Sequence, residues 1–175
     1  MTVYEAIQRR RSYRHLEKVE ITDDIIEKLS KAAQLAPSCF NNQPWRYIFV
    51  RDPKKLEALH DVYSKGNEWV HDGSLVIVVT ARKEDDCVTG SQEYYSFDTG
   101  LSVGQLLLQA TELGLTAHPI AGFSQQKTRR VLHIPEDYEV ITLAIVGKKA
   151  AGSPDEPAMP RKDLKEIVFH DSFKH

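Results

Sequence analysis

Arg10-Arg11-Ser12-Tyr13-Arg14 puts several guanidinium groups and a hydroxyl into one short stretch. Such a set has enough donors to hold a phosphate dianion by bidentate contact. A second stretch, Ala36-Pro37-Ser38-Cys39-Phe40-Asn41-Asn42-Gln43-Pro44-Trp45, is a run of small and amide side chains bracketed by two prolines. A loop of that kind offers hydrogen bonds to a planar polar ring. Each stretch also has a plainer reading. Arginines at a helix C-terminus complement its dipole, and an Asn-rich segment is an ordinary helix-to-strand turn with Trp45 as a core anchor and Cys39 as a small filler.

The elements around these stretches decide what they can do. Thr2 and Glu5 form a capping box for a helix whose stripe of Val3, Ala6 and Ile7 runs out at Arg9, so the basic stretch is the loop that leaves it. Thr22-Asp23-Asp24 opens a second helix, with Ile25, Ile26, Leu29, Ala33 and Ala36 on its apolar side, and Pro37 stops it. Residues 46–50 read as a strand, Asp52-Pro53 caps another helix, and the continuously apolar run 75–80 is a strand covered on both faces. From about Phe97 to Leu113 apolar residues occupy nearly every side of a helix ended by Gly114, which suits burial in the molecule or in a subunit interface. Strands over 116–121 and 140–146 flank a helix opened by Ser124 and closed near Pro135. Residues 148–160, with Gly152, Pro154, Pro157 and Pro160, read as an extended arm. Alternating helices and strands predict one three-layer α+β domain over all 175 residues.

Composition excludes more than it assigns. With 23 Lys+Arg against 25 Asp+Glu there is no global field to recruit nucleic acid or an anionic membrane, so any anion site is local. The longest apolar run, 75–79, is too short to span a bilayer, and the N-terminus lacks the apolar run of a signal peptide. Cys39 and Cys87 lie far apart without a CxxC, which indicates neither a disulfide framework nor a zinc knuckle and suggests a reducing, cytoplasmic setting. The seven histidines show no HxH or HExxH spacing, so no metal is expected. Without a GxGxxG or GxxxxGK[ST] motif, a nicotinamide nucleotide would bind as a transient substrate and not on a Rossmann domain.

Taken together, the two stretches resemble the basic motif and the second motif of the nitroreductase family. Asp98-Thr99-Gly100 running into Gln105-Leu106-Leu107-Leu108 and Glu112-Leu113-Gly114-Leu115 resembles that family's central helix, followed by Pro119-Ile120-Ala121-Gly122-Phe123. Arg161-Lys162-Asp163-Leu164-Lys165-Glu166-Ile167-Val168 resembles its terminal Arg-containing motif. The order and spacing of all five fit, and they cover practically the whole chain.

The resemblance implies a mixed, largely antiparallel sheet flanked by helices, an intertwined homodimer with residues 148–175 as an arm packing on the partner, and FMN at the subunit interface. It implies that Arg10, Ser12 and Arg161 hold the phosphate, Arg11 lies along the ribityl tail, and Arg14 sits near N1 and O2 of the flavin. A cation there stabilises the negative charge of the reduced ring. Pro37, Ser38, Cys39 and Asn41 would reach the flavin from the other subunit. Pro119, Ile120, Ala121 and Gly122 would lie against the ring with backbone N–H groups near N5, and Asn67 would offer an amide to the pyrimidine edge. Several relatives have Glu where this chain has Ala121. The implied activity is ping-pong hydride transfer from NAD(P)H to a nitroaromatic, quinone or similar small-molecule acceptor, with no side chain required as acid or base. An FMN carrier or sensor without rapid turnover is the alternative.

Overall fold

The computed structural model describes residues 1–154, 156 and 158–173. Pro157 of the expected arm lies outside them. In chain order the principal elements are α1 (Val3–Arg9), β1 (Leu16–Glu17), α2 (Asp23–Gln34), β2 (Trp45–Val50), α3 (Pro53–Ala58) and β3 (Leu75–Ala81), then β4 (Val88–Thr89), β5 (Gln92–Glu93), α4 (Tyr95–Glu112), β6 (Thr116–Ile120), α5 (Gln125–Leu132), β7 (Glu139–Lys149) and α6 (Leu164–Ile167).

The caps fall where the sequence puts them. Thr2 and Glu5 form a reciprocal capping box on α1, and Thr22, Asp52 and Ser124 each accept a backbone N–H at the start of α2, α3 and α5. Gly114, at φ +73°, follows α4 in the left-handed conformation that closes a helix.

β7 is the hub of the main sheet, pairing with β3, with β6 and, at its last two residues, with β1, while β2 lies outside β3. Every ladder among the described residues is antiparallel. β3 explains the layering. Its odd residues Leu75, Ile77 and Val79 pack with Leu29 and Ala33 of α2 and Leu106 and Ala110 of α4. Its even residues Val76 and Val78 face Leu59, Val62, Ile120 and Ile134 on the other side. A strand whose successive residues all lie inside needs cover on both faces, and three layers supply it.

Three details correct the sequence reading. The arm begins at 150 rather than 148, because Lys148 and Lys149 still pair with Glu17 and Leu16, and it contains the short helix α6. The hairpin β4–β5 over 88–93 was not foreseen; its two-residue strands are too short to carry a periodic pattern. The cysteines expected to lack a partner are joined in a disulfide. The ladder is the reason: Trp45 at the start of β2 lies opposite Ala81 at the end of β3, so the loop entering one strand runs beside the segment leaving the other, 48 residues away in sequence.

The chain exposes 11043 Å², against about 8,700 Å² for a compact monomer of its mass. Much of the apolar part is contiguous in sequence with α1, α4 and the arm: Val3, Tyr4, Ile7, Phe97, Met159, Leu164, Ile167 and Phe173 are all exposed. No helix among the described residues is long and apolar enough to cross a membrane.

Candidate functional site

Arg10 closes α1, donating its backbone N–H to Ala6 and its Nη1 to the Ser12 hydroxyl at 3.3 Å. Arg161 comes back from the arm close enough for its charge to act on Arg10. Burial first, then Arg161 and Arg11, lower the proton affinity of the Arg10 guanidinium below its ordinary value. Neither Arg10 nor Arg161 has a carboxylate ion-pair partner among the described residues. Two cations and a hydroxyl converging without an anion make an anion site. Arg11 has a structural part as well: its Nη1 donates to the carbonyls of Gln8 and Arg10, at 2.7 and 3.0 Å, and so caps the helix.

Past this cluster, the backbone N–H of Arg14 donates to Glu156 at 2.9 Å, and Glu156 pairs with the His15 ring at 3.0 Å. This contact fastens the arm beside the basic stretch. Burial works against the Glu156 carboxylate, but the hydrogen bonds from His15 and Arg14 outweigh it and hold its pKa below the usual value. The Arg14 side chain has no such partner, and its charge falls on His118. His118 is half-buried on β6, stacked on Trp69 at 4.5 Å and within 3.2 Å of the Tyr13 carbonyl. Burial above all, with Arg14 and Arg10 acting in the same sense, lowers its pKa and keeps it a neutral ring.

Pro119 and Ile120 end β6, and Ala121 and Gly122 follow the end of its ladder with β7. Outside that ladder the N–H groups of Ala121 and Gly122 donate to no described residue. Asn67 belongs to this group by contact: its Nδ2 donates to the Gly122 carbonyl at 2.9 Å, which also accepts from the Ser64 N–H. Its Oδ1 accepts from Trp69 at 3.3 Å. A Cβ on Gly122 would meet that Asn67 nitrogen at 2.5 Å, so a larger residue here would displace the Asn67 amide and its hydrogen bond. Asn67 therefore braces the 121–122 turn.

The second group stands apart. Pro37, Ser38, Cys39 and Asn41 lie in the loop between α2 and β2, where Phe40, Asn41 and Gln43 all have positive φ, at 48°, 59° and 50°. Three non-glycine residues in the left-handed region within four positions is uncommon and stores strain. Ser38 Oγ accepts the Gln43 N–H at 2.9 Å, the Cys39 N–H donates to Asp98 at 2.6 Å, and the disulfide ties Cys39 to Cys87. Asp98 is buried at the first turn of α4. Burial foremost, and the neighbouring Asp86, raise its pKa above the ordinary value against the Cys39 hydrogen bond. Beside the loop, Tyr94, Phe97 and Leu101 line an open groove.

None of the hydrogen bonds of this loop reaches the first group. The structure thus gathers Arg10, Ser12, Arg14, Asn67, Ile120, Gly122 and Arg161 along one margin, and leaves Pro37, Ser38, Cys39 and Asn41 on another. Sequence reasoning missed His118, Glu156, Asp98 and Cys87. His118 carried no signal beyond its place before Pro119, and Glu156 matters only once the arm folds back.

Comparison with known proteins shows the family and the fold. A sequence model of the nitroreductase family matches residues 7–68 and 62–148. An NADH dehydrogenase of Thermus thermophilus is 27% identical, over 94% of this chain and 93% of its own. Among solved structures, a nitroreductase family protein of Clostridium difficile 630 superposes with a TM-score of 0.85 at 26% identity, covering 98% of this chain and 99% of that one. An FMN-dependent nitroreductase of Clostridium difficile R20291 superposes with a TM-score of 0.77 at 27% identity, covering 96% and 98%.

Proposed function

The chain belongs to the nitroreductase family, and from that premise we propose that it is an FMN-dependent oxidoreductase, acting as a homodimer, that takes hydride from NAD(P)H and passes it to a small acceptor such as a nitroaromatic or a quinone. The observation that carries this reading is the convergence of Arg10, Ser12 and Arg161 without a carboxylate to neutralise them. It suits a terminal phosphate dianion, and the residues around it suit the rest of a flavin. The Arg14 side chain has no hydrogen-bond or ion-pair partner among the described residues and lies near His118, whose pKa burial lowers, and the Ala121 and Gly122 N–H groups lie beyond the ladder.

FMN, when bound, supplies a ring that takes up and releases hydride at N5. The protein's own residues do the rest. Arg10 and Arg161 with the Ser12 hydroxyl hold the phosphate by charge-assisted hydrogen bonds, and Arg14 supplies positive potential at the pyrimidine end. Ala121 contributes only backbone, so this chain lacks the carboxylate that Glu brings to that position in several relatives.

The excess exposed area and the uncovered apolar faces of α1, α4 and the arm support a second copy. The separation of the 37–41 loop from the anion cluster supports a site shared between two chains. The test is the visible spectrum of the purified protein before and after anaerobic NADH or NADPH. Bound flavin that bleaches is the expected result. Flavin that stays oxidised would make the protein a carrier or sensor, and failure to bind supplied FMN would remove the cofactor from the account.

A further inference from the structure

We infer that Cys39 and Cys87 form a reversible dithiol–disulfide site whose oxidation state sets the order of the 37–43 loop. The sulfurs are bonded, with the two Cα atoms 6.2 Å apart, and both residues are only half-buried. Partly exposed disulfides are the exchangeable ones, whereas those sealed in a core resist reduction. This bond is also placed to matter. On one side it holds a loop with three left-handed non-glycine residues; on the other, the carbonyl of Cys87 accepts the Tyr94 N–H, closing the base of the β4–β5 hairpin against the start of α4. Apart from it, the loop is tied to its surroundings by hydrogen bonds from Cys39 to Asp98, from Asn42 to Asp86 and from Arg46 to the Gln43 carbonyl, and its remaining bonds, among Ser38, Cys39, Asn41, Asn42 and Gln43, are internal to it. Strained backbone persists only when its surroundings over-determine it, so opening the bond releases the loop to ordinary conformations.

The exchange is conventional. The thiolate of a small thiol attacks one sulfur, the other leaves as a cysteine thiolate and takes a proton, and a second thiol resolves the mixed disulfide. The protein gains two electrons and two protons, and two thiols become one small-molecule disulfide. A carboxylate oxygen of Asp86 lies within 4.8 Å of both sulfurs, and Asp86 Oδ2 is buried without a hydrogen-bond partner among the described residues. Negative charge so close disfavours both the incoming and the leaving thiolate, which slows exchange. The same three residues have the spacing of a metal-ligand group, so a metal is the rival occupant once the bond is open.

The consequence for function rests on the proposed FMN reading, in which this loop meets the partner's flavin. The oxidised protein is the pre-organised form, and reduction weakens FMN binding on the order of tenfold.

The test equilibrates the intact native protein in glutathione buffers from reducing to oxidising, followed by alkylation and peptide mass analysis. Both cysteines are expected to convert together and reversibly. Hydrogen exchange over 37–43 and 88–94 is expected to quicken on reduction, and in Cys87→Ser to be fast in every buffer. Thiols that stay free in oxidising buffer, a bond that opens only in denaturant, exchange rates indifferent to redox state, or one metal ion per chain protecting the thiolates would each overturn the proposal. An FMN titration in both buffers then separates the two readings. If neither form binds FMN the cofactor reading falls, while the thiol equilibrium, measured without flavin, stands.

Discussion

The anion margin and the Cys39 loop solve opposite problems. Around Arg10 the chain braces itself: Arg11 caps the helix it leaves, Glu156 fastens the arm, and Asn67 and Ser64 hold the Gly122 turn. What stays unsatisfied there is charge, aimed at something the chain does not contain. Around Cys39 the chain meets most of its own polar groups, Asp86 Oδ2 apart, and what stands out is conformation and surface, in left-handed backbone and in a Phe40 that is 90% exposed. One margin concentrates charge; the other concentrates strained backbone and exposed apolar surface. The difference teaches that a binding site is legible from one chain only where that chain completes its own support.

The sharpest way to break the comparison is to deny the loop its neighbour. Phe97 on the outer face of α4 is 61% exposed, and Phe97→Asp buries a charge wherever that face meets a second copy. Light scattering is expected to show a monomer, with FMN binding lost although the anion margin is untouched. A dimer that survives would assign this face to another use.

Next comes Arg10→Ala, which removes one charge-assisted contact of about 1.5–3 kcal/mol and so weakens FMN by roughly 10- to 100-fold. Riboflavin, without the phosphate, is expected to bind the variant and the parent alike in a fluorescence titration. Equal losses for both ligands would take Arg10 off the phosphate.

Asp98 gives a smaller effect with a definite sign. Its pKa is raised in the folded protein from 3.8, so above that value the native state holds a proton the unfolded chain has released, and stability falls as pH rises through the folded pKa. Asp98→Asn keeps an acceptor for the Cys39 N–H and removes the titration. Thermal melts across the acid range are expected to show the variant gaining on the parent as pH rises, and a constant difference would contradict the assignment.

The smallest effect is Asn67→Ala. It deletes the hydrogen bond to the Gly122 carbonyl, which Ser64 still satisfies, and the long one from Trp69, so the loss of stability measured in urea is expected at about 1–2 kcal/mol.

Much of the fold was legible because local chemistry and burial point the same way. Thr2, Thr22, Asp52 and Ser124 are caps in sequence and in structure, and the unbroken run 75–80 could only be a strand covered twice. The basic stretch was legible as a helix exit, and the family resemblance, not the spacing, linked it to Arg161. The disulfide was not legible, because Cys39 and Cys87 meet through the register of β2 against β3, a fact that no window of sequence contains. The contact of Asn67 with the Gly122 carbonyl was not legible, since nothing local shows that its amide would meet that turn.

The central claim is that one site draws its anion margin from one chain and its loop from another. It is tested most directly by mixing two variants, Arg10→Glu and Asn41→Glu, each unable to bind FMN as its own dimer, and letting the subunits reassort. If the halves come from different chains, mixed dimers regain one intact site, and FMN binding returns in roughly one site in four after random exchange of a two-fold dimer. If both halves come from the same chain, every site in the mixture carries one defect, and no binding returns.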